Sequence, residues 1–590
     1  DGVTFHHRDD LDAVQRELRD TKGCTALIYD QTCAAEKRRR RKRGQMPDPE
    51  KRVVINSEVC EGCGDCGVQS NCLSILPKAT EHGRKRQIDQ SSCNKDFSCI
   101  RGFCPSFVTV KGGTLRKAAG LHATPPSDGL PEPVVAVISK PYNILLTGVG
   151  GTGVVTVSAL LGMAGHLEEK GVGVLDQIGL AQKFGAVMSH IRIAPTQEQL
   201  HTVRIPAGET DLLIGFDLMV GASEEALGKL DGKRSFAIIN NHDTMPAAFT
   251  RNPDLHVPNE EMQAIIEATA RKDGTFCFDA TQLATDLMGD GMAVNLFTVG
   301  YACQKGLLPL TRASIEQAIR LNGASVDTNL KAFLWGRCAA HNLEQVIQTV
   351  RPEPSVQTVR MLPSLDEQIA LEMQHLSEYQ NTALAQRYRN RVEQFRAVEK
   401  DNTRKSHISR AIAENYSKVL AYKDEYEVAR QLTSDTFRQQ LSQQFEGDFE
   451  LEFNLAPPLI AHKDKHTGRP RKRIFSQKIL PVFRLLAKMK TLRGTALDIF
   501  SWSEDRKLEK QIIRDYEADI SFIEQALKAE NNSSQRYSAA QQLAEIPGMI
   551  RGYGPVKEAN YLKAQKKRLM LRNQLQTPTA TISELAASQA

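Results

Sequence analysis

The sequence predicts a multidomain α/β plus α protein. A small cysteine-rich segment precedes an α/β domain of mainly parallel sheet, and a mostly helical C-terminal domain follows. Three observations predict it. Seven of the twelve cysteines fall between positions 60 and 104. From about Val134 to Arg337, apolar strand-like runs alternate with helical ones. After about Asn342 the chain turns to long polar stretches with apolar residues at helical spacing.

At 590 residues the chain has room for roughly three or four domains. It is 41% hydrophobic and 25% charged, the balance of ordinary globular protein. No apolar run approaches a membrane span and no signal-peptide pattern opens the chain. It begins with "DGVTFHHRDD" rather than Met, and is read as a fragment with a partner domain expected upstream. A cytoplasmic location follows, where clustered cysteines bind metal or do redox chemistry. The net charge of +6 is concentrated in "KRRRRKR" (Lys37–Arg43) and "RPRKR" (Arg469–Arg473). These read as a solvated linker and a basic surface loop, with steering of an acidic electron carrier as the functional alternative. Only 6% of residues are aromatic, which argues against a nucleic-acid arm.

Taken in order, residues 1–45 hold a helical stretch (Leu11–Arg19) and a strand-like "CTALIYD" before the first basic run. Residues 46–118 are rich in Cys, Gly and Lys with little periodicity, as in a small fold organised by a cofactor. A Pro- and Gly-containing linker occupies 119–140. In the α/β domain, 141–338, "YNILLTGVG", "GVGVLD", "SHIRIA", "TDLLIGF" and "SFAIIN" read as buried strands, and Thr156–Glu169 and Glu260–Arg271 as helices. In the helical domain, 345–590, Ser364 and Glu367 form a capping-box pattern. Leu365, Ile369, Met373 and Leu376 then share one face, as do Leu384, Tyr388, Val392 and Phe395.

Cys60, Cys63 and Cys66 form C-x2-C-x2-C, the spacing that lets thiolates of one loop reach three irons of a cubane. The fourth ligand is commonly remote and followed by Pro, and Cys104 precedes the only Pro that follows a cysteine. Gly62, Gly64 and Gly67 permit the tight wrap. Cys72, Cys93 and Cys99 are ligands of a second cluster or alternative ligands of the first, although three are one short of a full set. The downstream gaps fit tetrahedral zinc poorly. Cys24, Cys33, Cys277, Cys303 and Cys338 stand among apolar neighbours and read as buried core thiols.

Gly148, Gly150 and Gly153 form G-x-G-x-x-G between a strand and a helix, a tight turn facing a helix N-terminus. A dinucleotide fold would place an acid near Asp176. The alternatives are another anionic ligand or a close-packed βα turn. His190, near Lys183 and Arg192, reads as a satisfied structural residue. His242 and Asp243 end a strand, where open α/β sheets place ligands.

The segments "TGVGGTGVVTVSALLGMA", "GLAQKFGAVMSHIRIA" and "DLLIGFD" together resemble the gamma-type domain of the 2-oxoacid:ferredoxin oxidoreductases. "VCEGCGDCGVQSNCLSI" and "SSCNKDFSCIRGFCPSF" resemble the ferredoxin-like iron–sulfur segment of the fused indolepyruvate:ferredoxin oxidoreductases. "CTALIYDQTCAAEKRRRRKRG" resembles the end of the thiamine-diphosphate-binding domain that precedes it. The resemblance implies oxidative decarboxylation of indolepyruvate or another arylpyruvate to the acyl-CoA, with reduction of ferredoxin. It implies one [4Fe–4S] cluster, or two, and coenzyme A as co-substrate. Thiamine diphosphate and Mg²⁺ are expected upstream, since no "GDG…N"-type metal–diphosphate signature is recognised here, and the chain alone is expected to be inactive. The implied partners are ferredoxin, the upstream thiamine-binding domains and a second copy in a homo-oligomer, with no nucleic acid and no membrane. The glycines at 148, 150 and 153 then shape an active-site or interface loop, and roles for Gln182, Lys183 and His190 stay open. An NAD(P)-linked iron–sulfur reductase and a basic cysteine-stabilised scaffold or nucleic-acid-binding protein remain as rival readings.

Overall fold

A computed structural model describes residues 3–116, 124–126, 129–150, 153–179, 185–350, 364–403, 406–457, 469–528 and 534–576. The cysteine-rich segment contains β1 (Lys51–Ile55), β2 (Ile75–Thr80), β3 (Gly83–Ile88) and β4 (Phe107–Leu115). β2 and β3 form a hairpin, and β1 runs antiparallel to β4 with Val54 opposite Val108. Val53, Ile55, Ile75, Ile88 and Phe107 pack against Cys60, Cys66 and Cys99, so this small core is built partly from sulfur.

The α/β region holds β5 (Tyr142–Val149), β6 (Gly171–Ile178), β7 (Ala186–Ala194), β8 (Leu212–Gly215), β9 (Phe236–Asn240) and β10 (Thr275–Phe278). They form one sheet in the order β10-β9-β8-β5-β7-β6, parallel from β10 to β5 and antiparallel at β7 and β6. The five expected strands are present, and β10 is an addition. Ile144, Leu145 and Leu146 of β5 are fully buried, as the continuous apolar run of a two-sided sheet requires. The expected helices appear at Val154–Leu167 and Asn259–Thr269. Helices Val294–Gln304 and Val326–His341 cross backbone to backbone, since a Cβ on Gly300 would lie 2.0 Å from the Phe333 carbonyl oxygen. Residues 129–140 carry no helix or strand.

The C-terminal region is mainly helical, with both bonds of the Ser364–Glu367 capping box formed. Ile369, Leu376, Tyr388, Val392 and Phe395 enter a core shared with Tyr416, Ile520 and Ile523. Two strands there were not expected: β11 (Phe445–Leu455) and β12 (Arg473–Ser476). β11 pairs with β4, giving a four-stranded sheet β1-β4-β11-β12. The physical signal was present, because Phe449, Leu451, Phe453 and Leu455 alternate with polar residues. The ladder shifts register between Glu446 and Phe449, opposite Gly112 and Gly113 at φ +69° and +65°.

Three local expectations fail. Residues Cys24–Asp30 form no strand, and Leu27, Ile28 and Tyr29 are exposed. The first basic run is no linker, for it lies in helix Ala34–Lys42. There Arg38 and Arg41 donate to the carbonyls of Ser92 (3.4 Å) and Asn94 (2.7 Å). Cys24 and Cys33 are exposed, whereas Cys303 and Cys338 are buried and Cys277 is half-buried. Among the described residues no helix is long and apolar enough to cross a membrane.

Candidate functional site

The cysteine site begins where β1 ends. The Asn56 Oδ1 accepts from the amides of Glu58 (2.9 Å) and Val59 (3.2 Å), turning the chain so that Cys60 faces inward. Gly62 and Gly64 adopt φ of +68° and +79°, and a Cβ there would meet the Arg84 carbonyl oxygen at 2.4 Å and Pro253 at 2.5 Å. Glycine is therefore required for the loop to lie under the β2–β3 hairpin and the α/β region.

Cys60, Cys63, Cys66 and Cys104 line one small cavity, with Phe107 and Arg86 in its wall. Burial pushes the Cys63 thiol up, and Cys104 and Cys60 add to the effect. Cys66 is raised by burial and then by Cys104, Cys60 and Cys63. Cys72, Cys93 and Cys99 form a second group. Burial raises Cys99, followed by Cys72 and Cys93. Polar groups already face the sulfurs: Gly62 N–H donates to Cys60 Sγ (3.3 Å), Lys95 N–H to Cys93 Sγ (3.4 Å), and Ser106 Oγ lies 2.9 Å from Cys104 Sγ.

Several thiols crowded in a dry pocket cannot all ionise without a cationic centre among them, and iron meets that demand. Among the described residues no three His, Cys, Asp or Glu side chains converge so as to hold a single metal ion. On chemistry and placement, the first group fits a four-iron cluster and the second supplies three thiolates.

Sequence reasoning missed the charged residues that frame these groups. Asp65, 8% exposed, accepts from Phe103 N–H (2.6 Å) and pairs with Arg469 (3.0 Å), tying the C-x2-C-x2-C loop to the Cys104 loop. Lys472 donates to the Ile100 carbonyl (2.9 Å), lies 4.7 Å from the Phe107 ring centre, and acts on Cys104 and Cys66 of one group and Cys99 of the other. The second basic run is thus not a solvated surface loop but enters the cysteine site. Its composition gave the charge; only the β11–β12 pairing places it.

The glycine turn is closed by protein. Gly150 N–H donates to the Gly185 carbonyl (2.7 Å), a Cβ on Gly148 would lie 2.9 Å from Val154, and one on Gly153, at φ +96°, would lie 2.7 Å from Asn295. β7 fills the slot beside β5 that the second strand of a dinucleotide unit would take. Asp176 sits within β6, where its carboxylate accepts from Ser158 (2.7 Å) and Ser189, so it is not free for a ribose. Asp217, overlooked in the sequence, caps the helix after β8 by accepting from Val220 N–H (2.8 Å). Burial raises its pKa against the backbone hydrogen bonds from Val220, Val149 and Met219.

His190 is fully buried on β7, accepting from Ile205 N–H at Nδ1 (3.3 Å) and facing Gln177 Oε1 from Nε2 (2.9 Å), a satisfied neutral ring. His242 pairs with Asp279 (3.0 Å); burial opposes its charge but the carboxylate outweighs it and raises the pKa. Asp243 bonds Asn259. Gln182 and Lys183 lie outside the described residues. The triplet Gly289-Asp290-Gly291, passed over in the sequence, is a turn between helices in which Asp290 accepts from Met292 N–H (3.1 Å).

Comparison with known proteins matches residues 143–339 to the family described as pyruvate ferredoxin/flavodoxin oxidoreductase, and residues 365–569 to a family of unknown function (DUF6537). The indolepyruvate oxidoreductase subunit IorB of Pyrococcus horikoshii is 30% identical over 35% of this chain and 98% of its own length. The subunit of the same name from Methanothermobacter thermautotrophicus is 31% identical over 34% of this chain and 97% of its own. A solved structure of 2-oxoglutarate:ferredoxin oxidoreductase from Magnetococcus marinus aligns with a TM-score of 0.26 at 16% identity, over 35% of this chain and 32% of that one. The chain belongs to the 2-oxoacid:ferredoxin oxidoreductases, through a gamma-type region that carries the six-stranded sheet.

Proposed function

We propose that this chain is the electron-transfer and gamma-type part of a thiamine-dependent, cytoplasmic 2-oxoacid:ferredoxin oxidoreductase that converts indolepyruvate or another arylpyruvate to the acyl-CoA. The observation that carries the reading is the sorting of seven cysteines into a group of four and a group of three, in a chain whose relatives are named indolepyruvate oxidoreductase subunits. Thiamine diphosphate and Mg²⁺ belong to partner domains, ferredoxin is the acceptor, and the assembly is homo-oligomeric.

Cys60, Cys63, Cys66 and Cys104 would hold a [4Fe–4S] cluster, with Cys72, Cys93 and Cys99 serving a second. Such clusters supply one-electron transfer at potentials set by nearby charge and hydrogen bonds. This chain's residues do the rest. Amides and Ser106 stabilise the sulfurs, Asp65 and Arg469 fix the spacing of the two loops, and Lys472 places a positive charge between the groups. The hydrophobic wall of Ile55 and Phe107 keeps water from the first group.

The test is indolepyruvate- and coenzyme A-dependent ferredoxin reduction by the chain assembled with its thiamine-binding partner. Reduction that needs both substrates supports the reading. Reduction driven by NADH alone would favour the nicotinamide-linked rival.

A further inference from the structure

A cavity of about 1000 Å³ lies between the β2–β3 hairpin and the C-terminal helices, against the loop that carries Cys60 and Cys63. That is the upper end of the size range of small-molecule sites. Its inner wall carries a cluster of lysines among mixed charges. Lys423, Lys557, Lys85 and Lys418 all act on the Glu61 carboxylate, which lies between Cys60 and Cys63 in sequence. Lys423 pairs with Glu61 (2.8 Å) and Lys557 with Glu509 (2.7 Å). Two of these four ammonium groups are therefore paired, and Lys85 and Lys418 are the two that are not. Glu61 and Glu414 act on Lys418 against Arg551 and Lys423, and Arg551 itself pairs with Asp254.

The two unpaired lysines come from different parts of the chain. Lys85 of β3 keeps only 8% of its surface, and Lys418 of helix His407–Leu420 is partly buried. Both line the cavity, and among the described residues neither ammonium has a hydrogen-bond or ion-pair partner. A buried, unpaired ammonium is costly, and proteins keep such groups where a ligand completes them. Burial, then Lys423 and Lys418, lower the pKa of Lys85 to about 8 although Glu61 acts in the opposite direction. A carboxylate would neutralise only one of the two charges; a phosphate dianion matches both, and lysine suits it as a compact point charge.

We propose that this cavity binds a phosphate dianion, with Lys85 and Lys418 as its ammonium pair. The inference is independent of the redox reading, because it needs only the cavity and its charges. The site joins the cysteine segment to the C-terminal helices, so its ligand would bridge the two.

The test is calorimetric titration of the full chain with three probes: inorganic pyrophosphate, ADP and coenzyme A. Saturable binding is expected, weakened at least about tenfold by Lys85→Met or Lys418→Met and retained by Lys85→Arg and Lys418→Arg. Tighter binding of ADP or coenzyme A than of pyrophosphate assigns the phosphate to a nucleotide ester. The reverse order assigns it to a free diphosphate. No saturable binding of any probe, or affinity unchanged in the two Met variants, overturns the proposal. The charge-preserving Arg variants separate loss of the ammonium charge from loss of the fold.

Discussion

At the scale of single residues, the proposed electron-transfer role turns on the charges around the sulfurs. Lys472 acts on both cysteine groups, and a positive charge near a cluster favours its reduced form. Lys472→Gln is expected to make the potential of the first cluster more negative, read by a redox titration followed by electron paramagnetic resonance. An unchanged potential would place Lys472 in packing alone. Asp65→Asn removes the charge that holds Arg469 and weakens the bond to Phe103 N–H. The loss of this largely buried pairing is expected to cost about 3 kcal/mol, seen as a lower midpoint in chemical denaturation. The cysteines themselves were legible, because their spacing is dictated by the chemistry. The residues framing them were not. Asp65 looks like any loop acid, and Lys472 stands 368 positions from Cys104 in a run that reads as solvated.

At the scale of elements, five of the six α/β strands were legible because each is an apolar run bounded by turn residues, and the four-residue β10 was missed. β11 was not, since its alternation sits among helices. Helices 294–304 and 326–341 meet through glycines, and a Cβ on Gly336 would lie 1.8 Å from the Phe297 carbonyl oxygen. Gly336→Ala is expected to destabilise the chain by about 3 kcal/mol or more, checked by thermal unfolding. His190 on β7 supplies a pH dependence. Burial, then Lys229 and Arg204, pushes its pKa from an ordinary 6.5 to about 4. The unfolded chain therefore binds a proton that the folded chain refuses between these values, and stability is lost as pH falls from 6.5 towards 4. Between pH 7 and pH 5 the loss from this group is about 2 kcal/mol. His190→Gln is expected to flatten that slope in denaturation curves taken at both pH values.

At the scale of the whole molecule, the cysteine segment and the C-terminal region share a sheet. β4 carries β1 on one side and β11 on the other, and Lys472, Arg469 and Lys423 reach the cysteine loops from the C-terminal side. Removing residues after 345 would therefore open β4 and withdraw those charges, and the truncated chain is expected to fail to hold the proposed cluster as well as to lose stability. Composition pointed to an α/β region and a mainly helical C-terminal region, yet it could not reveal that segments far apart in sequence complete one another, because strand pairing across such a distance leaves no local pattern.

The central claim is that the group of four cysteines holds an iron–sulfur cluster, and iron and sulfide per chain test it most directly. They would be measured on anaerobically prepared wild type and Cys104→Ser, with electron paramagnetic resonance after dithionite. The account predicts about four irons with a reduced-cluster signal, or about eight if Cys72, Cys93 and Cys99 hold a second cluster, and loss of about four in the variant. One zinc and no iron in the wild type, persisting after anaerobic reconstitution, would contradict it.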